Sequence, residues 1–511
     1  MEKIYASVKN LEKYLQNEIK ISEELMIENA ASALENIILS KLENYANDLS
    51  TNNSNKGASV LILCGSGNNG ADGYALSRHL ADICEVCVVE DAKSAHCKYE
   101  QKTAKACGII FLSKQMAAKK ISSFKIVVDC IYGTGFHGNL ESSLAQFIFK
   151  INSAPCLRIA CDIPSGIDSN GNILSIYKKN LLAFNADTTV AMGALKLAYY
   201  SDVAKDFCGK IIRKNIGVSQ NILECKKESA LLLSPCDMIL PIRTKQAVNK
   251  GNFGHAAIIL GEKPGAAILA GTAAFNFGVG FVTLIEKNHL EEKSQNVQAG
   301  KNHSFKIPPE LMIGETFRKN TRALVVGPGL GQDNYDFISH IQNWIIKQKT
   351  CGLVLDADMF YYDKIALLLK EFSTKCPNAR IVLTPHPKEF ASLLTLCSLG
   401  SYSIQEITSN RFELVKKFNA TFPNVVLILK GANSLIAGKN IYVCTEGHPC
   451  LAKAGSGDVL AGLVCALLAQ EYSAENAAIT ATLAHGIASQ KFSNGFGMTP
   501  LKLIESCASL Q

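Results

Sequence analysis

Apolar residues recur every three to five positions along residues 8–45, at Leu11, Leu15, Ile19, Leu25, Ala30, Leu34 and Ile38. That spacing predicts a helical N-terminal segment. The pattern then changes. Short apolar runs follow at Ser59–Cys64, Val86–Glu90, Ile109–Leu112, Ile126–Cys130, Leu157–Cys161 and Asp187–Met192. Helix-like stretches such as Tyr74–Ala81 lie between several of them. Strands that alternate with helices predict a doubly wound parallel α/β sheet.

Residues 220–245 interrupt the rhythm with Pro235, Pro241 and a cluster of charges. A second α/β series then begins: His255–Leu260, a helix at Ala266–Phe277, Phe281–Ile285, Ala323–Val326, Gly352–Leu355, Arg380–Leu383, Val425–Leu429, Ser434–Ala437, and a helix from Asp458 to Gln470. Two domains are expected, at 1–220 and 240–511, joined by a linker at 221–239. Pro264–Ile285 carries no charge, but Gly265, Gly271, Thr272, Asn276, Gly278 and Gly280 interrupt it. It reads as a buried helix followed by a strand, not as a membrane span.

Composition narrows the choice of partner. The chain has 511 residues, of which 48% are hydrophobic and 19% charged, so large buried sheets are expected and disorder is not. A net charge of +7 is small for this length. No Lys/Arg cluster with interleaved aromatics stands out, so nucleic acid is not an expected partner. The N-terminus shows no signal peptide. The 18 cysteines are scattered, and Cys84-x-x-Cys87 has no second pair at zinc-finger spacing. Reduced, buried thiols in a cytoplasmic protein are expected, with no membrane contact. A homo-oligomer is expected as well.

The candidate chemistry sits at the ends of predicted strands. In the first half these are Gly65-Ser66-Gly67-Asn68-Asn69-Gly70-Ala71-Asp72-Gly73, Asp129 followed by Gly133-Thr134-Gly135-Phe136-His137-Gly138-Asn139, and Asp162-Ile163-Pro164-Ser165-Gly166. Glycines before a helix allow close approach and leave N–H groups for a phosphate. A strand-end Asp alone often only caps a turn. Three such clusters on one sheet edge point to a site. In the second half, Gly455-Ser456-Gly457-Asp458 opens an apolar helix, a second anion cradle with a carboxylate beside it. Gly327-Pro328-Gly329, Asp356-Ala357-Asp358, Pro385-His386-Pro387 and Lys430-Gly431-Ala432-Asn433-Ser434 close other strands. The competing reading is that Asp458 merely caps its helix.

With Leu25-Met26-Ile27-Glu28-Asn29-Ala30-Ala31 added, residues 1–215 resemble the NAD(P)H-hydrate epimerase family. The resemblance implies a Rossmann-like fold. It implies that Asn68, Asn69, Gly70, Ala71, Asp72 and Gly133–Asn139 (Gly133, Thr134, Gly135, Phe136, His137, Gly138, Asn139) hold the hydrated dinucleotide. Asn69, Asp129 and Ser165 would hold K+, and Asp162 would touch the substrate and move its proton. Ala71 replaces a glycine usual in that loop, which matters if the backbone there needs positive φ. With Asn249-Lys250-Gly251-Asn252-Phe253-Gly254-His255 added, residues 240–505 resemble the ADP-dependent NAD(P)H-hydrate dehydratases, which are ribokinase-like. That implies hydrate contacts at Ala266, Gly329, His386 and Asp458, with Asp458 as base. It implies ADP at Lys430, Gly431, Ala432, Asn433, Ser434 and Gly457, with Mg2+ on the diphosphate. Gly447-His448-Pro449-Cys450-Leu451-Ala452 departs from the family's Asn-Pro-Gly-Met form. The partners implied are NADH and NADPH hydrates and ADP. Two rivals stand beside this reading: a kinase of small alcohols, and a first domain that only binds or scaffolds.

Overall fold

The computed structural model describes residues 1–48, 59–290, 306–332, 335–348, 351–492 and 494–511. The chain divides into two compact units, Glu2–Ala230, and Leu231–Gln511 together with Met1.

In the first unit seven strands form one parallel sheet. Their order is Lys210–Lys214, Thr188–Met192, Leu157–Cys161, Ile126–Cys130, Val60–Cys64, Cys84–Val88, Phe111–Leu112. The chain enters at Val60–Cys64, builds outward on one side, then returns to build on the other. The order therefore reverses between Val60–Cys64 and Ile126–Cys130, and ligands bind at such a reversal. Both of those strands are wholly buried; Val60–Cys64 is apolar throughout, and Ile126–Cys130 is apolar but for Asp129. Another strand, Glu2–Tyr5, pairs in parallel with Leu195–Lys196. The predicted N-terminal helix is split. Lys9–Tyr14 is α-helical, Leu15–Ile19 forms a π turn that ends at left-handed Lys20, and Glu23–Asp48 is a long α-helix.

The second unit's sheet runs Ala230–Leu232, Ile441–Cys444, Ser434–Ala437, Val425–Leu429, Arg380–Leu383, Gly352–Leu355, Ala323–Val326, His255–Leu260, Phe281–Glu286, Met312–Gly314. It is parallel except for Ser434–Ala437, which is antiparallel to both neighbours. The order reverses between His255–Leu260 and Ala323–Val326. The segment 221–239, expected as a linker, holds the strand Ala230–Leu232, whose Leu231 pairs with Tyr442.

The core of this unit is the helix Ser456–Ala469, buried from Val459 onward, packed on Pro264–Asn276. Gly462 permits the close crossing: a Cβ there would lie 2.2 Å from the Ala270 carbonyl oxygen. The uncharged window is thus a buried helix, Pro264–Asn276, and a strand, Phe281–Glu286. Among the described residues no helix is long and apolar enough to cross a membrane.

Candidate active sites

The first site is a cavity of about 700 Å³ at the reversal of the N-terminal sheet. Asn68, Asn69, Asp72, Gly133, Thr134, Gly135, Phe136, His137, Asn139 and Asp162 line it. Three expected residues do not. Gly70 and Ala71 are buried behind the wall, and Gly138 turns its loop at φ +87°. Gly67 caps the helix Asn68–His79 without a side-chain acceptor, so the helix start brings its orphan N–H groups to the cavity. Ala71 lies inside that helix and is not among the residues with positive φ, so its methyl is accommodated.

Two glycines of this loop answer to packing. A Cβ on Gly65 would sit 1.9 Å from the Ile131 carbonyl oxygen, and one on Gly70 would sit 2.2 Å from that of Gly65.

Beneath the cavity floor lies Asp129, fully buried at the end of its strand. Its Oδ1 accepts from Ser165 Oγ at 2.7 Å and from the Ile131 N–H at 3.1 Å; its Oδ2 accepts from the Ser165 N–H at 2.7 Å. Burial pushes its carboxyl up to about 6, against the pull of those bonds. Tyr132 joins the expected potassium ligands: its N–H donates to Ser165 Oγ, and its carbonyl accepts from Asn69 Nδ2, both at 2.9 Å.

Asp162 follows the strand Leu157–Cys161 in a left-handed conformation, φ +64°. Its Oδ1 accepts from Lys196 Nζ at 2.5 Å and from the Met192 N–H at 3.2 Å. Lys196 gave no signal in the sequence. It lies on the short strand Leu195–Lys196, which pairs with Glu2–Tyr5. Asp72, the neighbouring carboxyl, is pushed well above the usual range by burial and by the charge of Asp162.

The second site is built on the ends of parallel strands. Asp356 follows Gly352–Leu355, is buried, and accepts from Thr384 Oγ1 at 2.7 Å. Lys430 follows Val425–Leu429 and places Nζ 3.1 Å from Asp356 Oδ1 and 3.7 Å from Glu389 Oε2. Burial pulls the Lys430 ammonium down, but Asp356 and Glu389 together raise it above its ordinary value. A Cβ on Gly457 would lie 3.4 Å from that ammonium, so lysine and loop are neighbours.

Asp458 is the third residue of the helix Ser456–Ala469, whose cap is left-handed Gly455. Asp458 is therefore not the cap. Burial first, and then the charge of Asp356, push its carboxyl up to about 6, with Lys430 opposing. His485 donates from Nε2 to the Ser456 carbonyl at 2.9 Å, and burial lowers its pKa to about 4, so it is neutral. The departing loop Gly447–Ala452 is tied to the same helix start: Ser456 Oγ donates to the Leu451 carbonyl at 2.7 Å.

Ala266 and Gly329 meet at the reversal of the sheet. The Lys263 N–H donates to the Gly329 carbonyl at 2.8 Å, and the Ala266 N–H to the Lys263 carbonyl at 3.3 Å. Asp358 links this pair to Asp458, since it accepts from the Gly331 N–H at 2.9 Å and its charge bears on Asp458. His386 is more committed than its sequence suggested. Its Nδ1 accepts from the Glu389 N–H at 3.2 Å, and its Nε2 lies 3.1 Å from Glu389 Oε1. Gly431 and Ala432 are exposed, Asn433 is buried, and Ser434 opens a strand.

Residues 256–508 match the NAD(P)H-hydrate dehydratase family, and residues 22–198 match the YjeF-related protein N-terminus. The bifunctional NAD(P)H-hydrate repair enzyme of Helicobacter pylori is 37% identical over 514 residues, covering 100% of both chains. This chain belongs to that family. The repair enzymes of Coxiella burnetii and Dictyoglomus turgidum are 28% and 29% identical, covering 84% and 98% of this chain and 85% and 96% of their own. A bifunctional NAD(P)H-hydrate repair enzyme joins epimerase and dehydratase activities in one chain, and two separate sites are what that requires.

Proposed function

We propose that the N-terminal unit interconverts (R)- and (S)-NAD(P)H hydrate, and that the C-terminal unit dehydrates the (S) form with ADP, giving NAD(P)H, AMP and phosphate. The observation that carries this is Asp458. It is a carboxylate in the first turn of a glycine-opened helix, beside Lys430 and with its carboxyl raised to about 6. That suits a base toward a hydroxyl.

In the C-terminal unit Asp458 takes the proton of the substrate hydroxyl as its oxygen attacks the terminal phosphorus of ADP. The bond to AMP breaks. Lys430 and the N–H groups at Gly457 face the charge that builds on the phosphoryl oxygens. Lys430–Ser434 would hold ADP, and Ala266, Gly329 and His386 the hydrate. Phosphate then leaves with the carbon–oxygen pair as the ring nitrogen donates its own, and loss of a ring proton restores the reduced nicotinamide. Among the described residues no three His, Cys, Asp or Glu side chains are grouped to hold a metal. Mg2+ would come with the diphosphate, with Asp356 or Glu389 as hard oxygen neighbours, and would neutralise phosphate charge there.

In the N-terminal unit Asp162 takes the proton of the ring hydroxyl. The ring carbon–nitrogen bond breaks with its pair on nitrogen, which accepts a proton, and a carbonyl forms. Closure on the other face returns the proton and gives the other epimer. Asn68, Asn69, Asp72 and the loop Gly133–Asn139 would hold the dinucleotide. Asn69, Asp129 and Ser165 present oxygens only, and Asp129 is a buried carboxylate with no ion pair among the described residues. A K+ ion fits that donor set and would supply the missing positive charge. All 18 cysteines are free thiols, in keeping with a reducing, cytoplasmic setting.

The test adds purified protein to mixed-epimer NADPH hydrate with ADP and magnesium and follows reduced-nicotinamide absorbance. Full recovery is expected. Recovery of one epimer's share alone would remove the epimerase reading. No recovery, with stable ATP-dependent phosphorylation of an alcohol instead, would return the kinase.

A further inference from the structure

The ammonium of Lys196 is almost fully buried, at 3% exposure, and each of its three donors has an acceptor. They are Asp162 Oδ1 at 2.5 Å, the Tyr199 hydroxyl at 3.2 Å and the Ala194 carbonyl at 3.4 Å. A lysine has three donors and no acceptor, so nothing is left over for a substrate. Whatever Lys196 does for the reaction, it does through Asp162.

The surroundings agree. Tyr199 donates its hydroxyl to the backbone carbonyl of Asp162 at 2.7 Å, so one small network grips both the main chain and the side chain of this residue. The main chain needs the grip, because a non-glycine residue at φ +64° sits in a backbone region that L side chains disfavour. Oδ1 is taken by Lys196 and by the Met192 N–H. Oδ2 has no hydrogen-bond partner among the described residues and faces Gly133, where a Cβ would lie 3.9 Å from it. Gly133 and Asp162 both line the substrate cavity. The remaining charged groups that bear on Asp162 are the carboxyls of Glu12 and Asp72.

We infer that Lys196 is a positioning residue for epimerisation: it turns and fixes the Asp162 carboxylate so that Oδ2 alone meets the substrate hydroxyl, and it stands as the counter-charge. The inference rests on the proposed epimerase role of this cavity.

The experiment measures epimer exchange in the full-length chain without ADP, across pH, for wild type, Lys196→Met and Tyr199→Phe. Dehydration by the same chains with ADP is the internal control. Lys196→Met is expected to lower kcat about tenfold at neutral pH, to leave KM nearly unchanged, and to move the acid limb up by about one pH unit, so that activity returns as pH rises. Tyr199→Phe keeps the ion pair and removes the hydroxyl's two bonds, to Lys196 and to the Asp162 carbonyl, so a shift in the same direction of about two- to threefold in rate is expected. A wild-type profile in Lys196→Met, or a loss confined to KM, overturns the inference alone. If Lys196→Met does not fold, an unmoved Tyr199→Phe profile overturns it. Failure of the wild-type chain to exchange epimers at any pH overturns the inference and the epimerase reading together.

Discussion

Each unit sets a lysine beside a carboxylate, but to different ends. In the N-terminal unit Lys196 is bonded to the carboxylate proposed to move the proton, Asp162. In the C-terminal unit Lys430 is bonded to that carboxylate's neighbour, Asp356, and Asp458 is left with a like charge nearby and a carboxyl at about 6. The two reactions ask for this difference. Epimer exchange takes a proton and gives it back, so orientation matters more than basicity. Phosphorylation of an alcohol needs a stronger base, and a raised pKa supplies one.

The largest effects test whether the sites are independent. Asp458→Asn should cut dehydration about 10³-fold and leave epimer exchange intact; Asp162→Asn should do the reverse. One variant that removes both activities in a folded chain would break the comparison. Next comes Lys430→Met. Loss of its charge leaves Asp356 without its ion pair, leaves Glu389 with His386 alone, and raises Asp458 further, so dehydration at neutral pH should fall about tenfold, with the acid limb moved upward. An unmoved limb would show that Lys430 does not act on Asp458.

The wild-type dehydration profile gives a gentler check. In the proposed role Asp458 works as the carboxylate, so the dehydration rate should fall as pH drops through about 6, and a flat profile down to pH 5 would count against it. The smallest effect concerns Asp129. Its folded carboxyl, at about 6, lies above the unfolded value near 4, so without a cation the N-terminal unit loses stability as pH rises between them. Added K+ should restore about 2–4 °C of melting temperature at pH 7, little at pH 5, and nothing in Asp129→Asn. Equal gains with Na+ would argue against a potassium site.

Much of this was readable from the chain. Ile126–Cys130, Leu157–Cys161, Gly352–Leu355 and Val425–Leu429 lie where the apolar runs put them, because parallel strands buried on both faces are mostly apolar, with Asp129 and Arg158 as the exceptions here. The strand expected at Val86–Glu90 runs Cys84–Val88 instead. Its Glu85 is buried in an ion pair with Lys120 at 3.0 Å, and that pairing is invisible to a hydropathy reading. The same blindness hid Lys196 and Asp356, which meet their partners 34 and 74 positions away, once strand order is set. Glycines misled in another way. Gly65 and Gly70 look like a phosphate cradle, but both are also demanded by backbone packing.

The left-handed turn at Asp162 also bears on how this gene can change. Among the residues one base substitution from aspartate, only asparagine, histidine and glycine share some ease in that backbone region. Every other single step disturbs the turn, and of the three only histidine could still take up a proton. The codon therefore has one single-step route to a different proton-accepting group that also tolerates the turn.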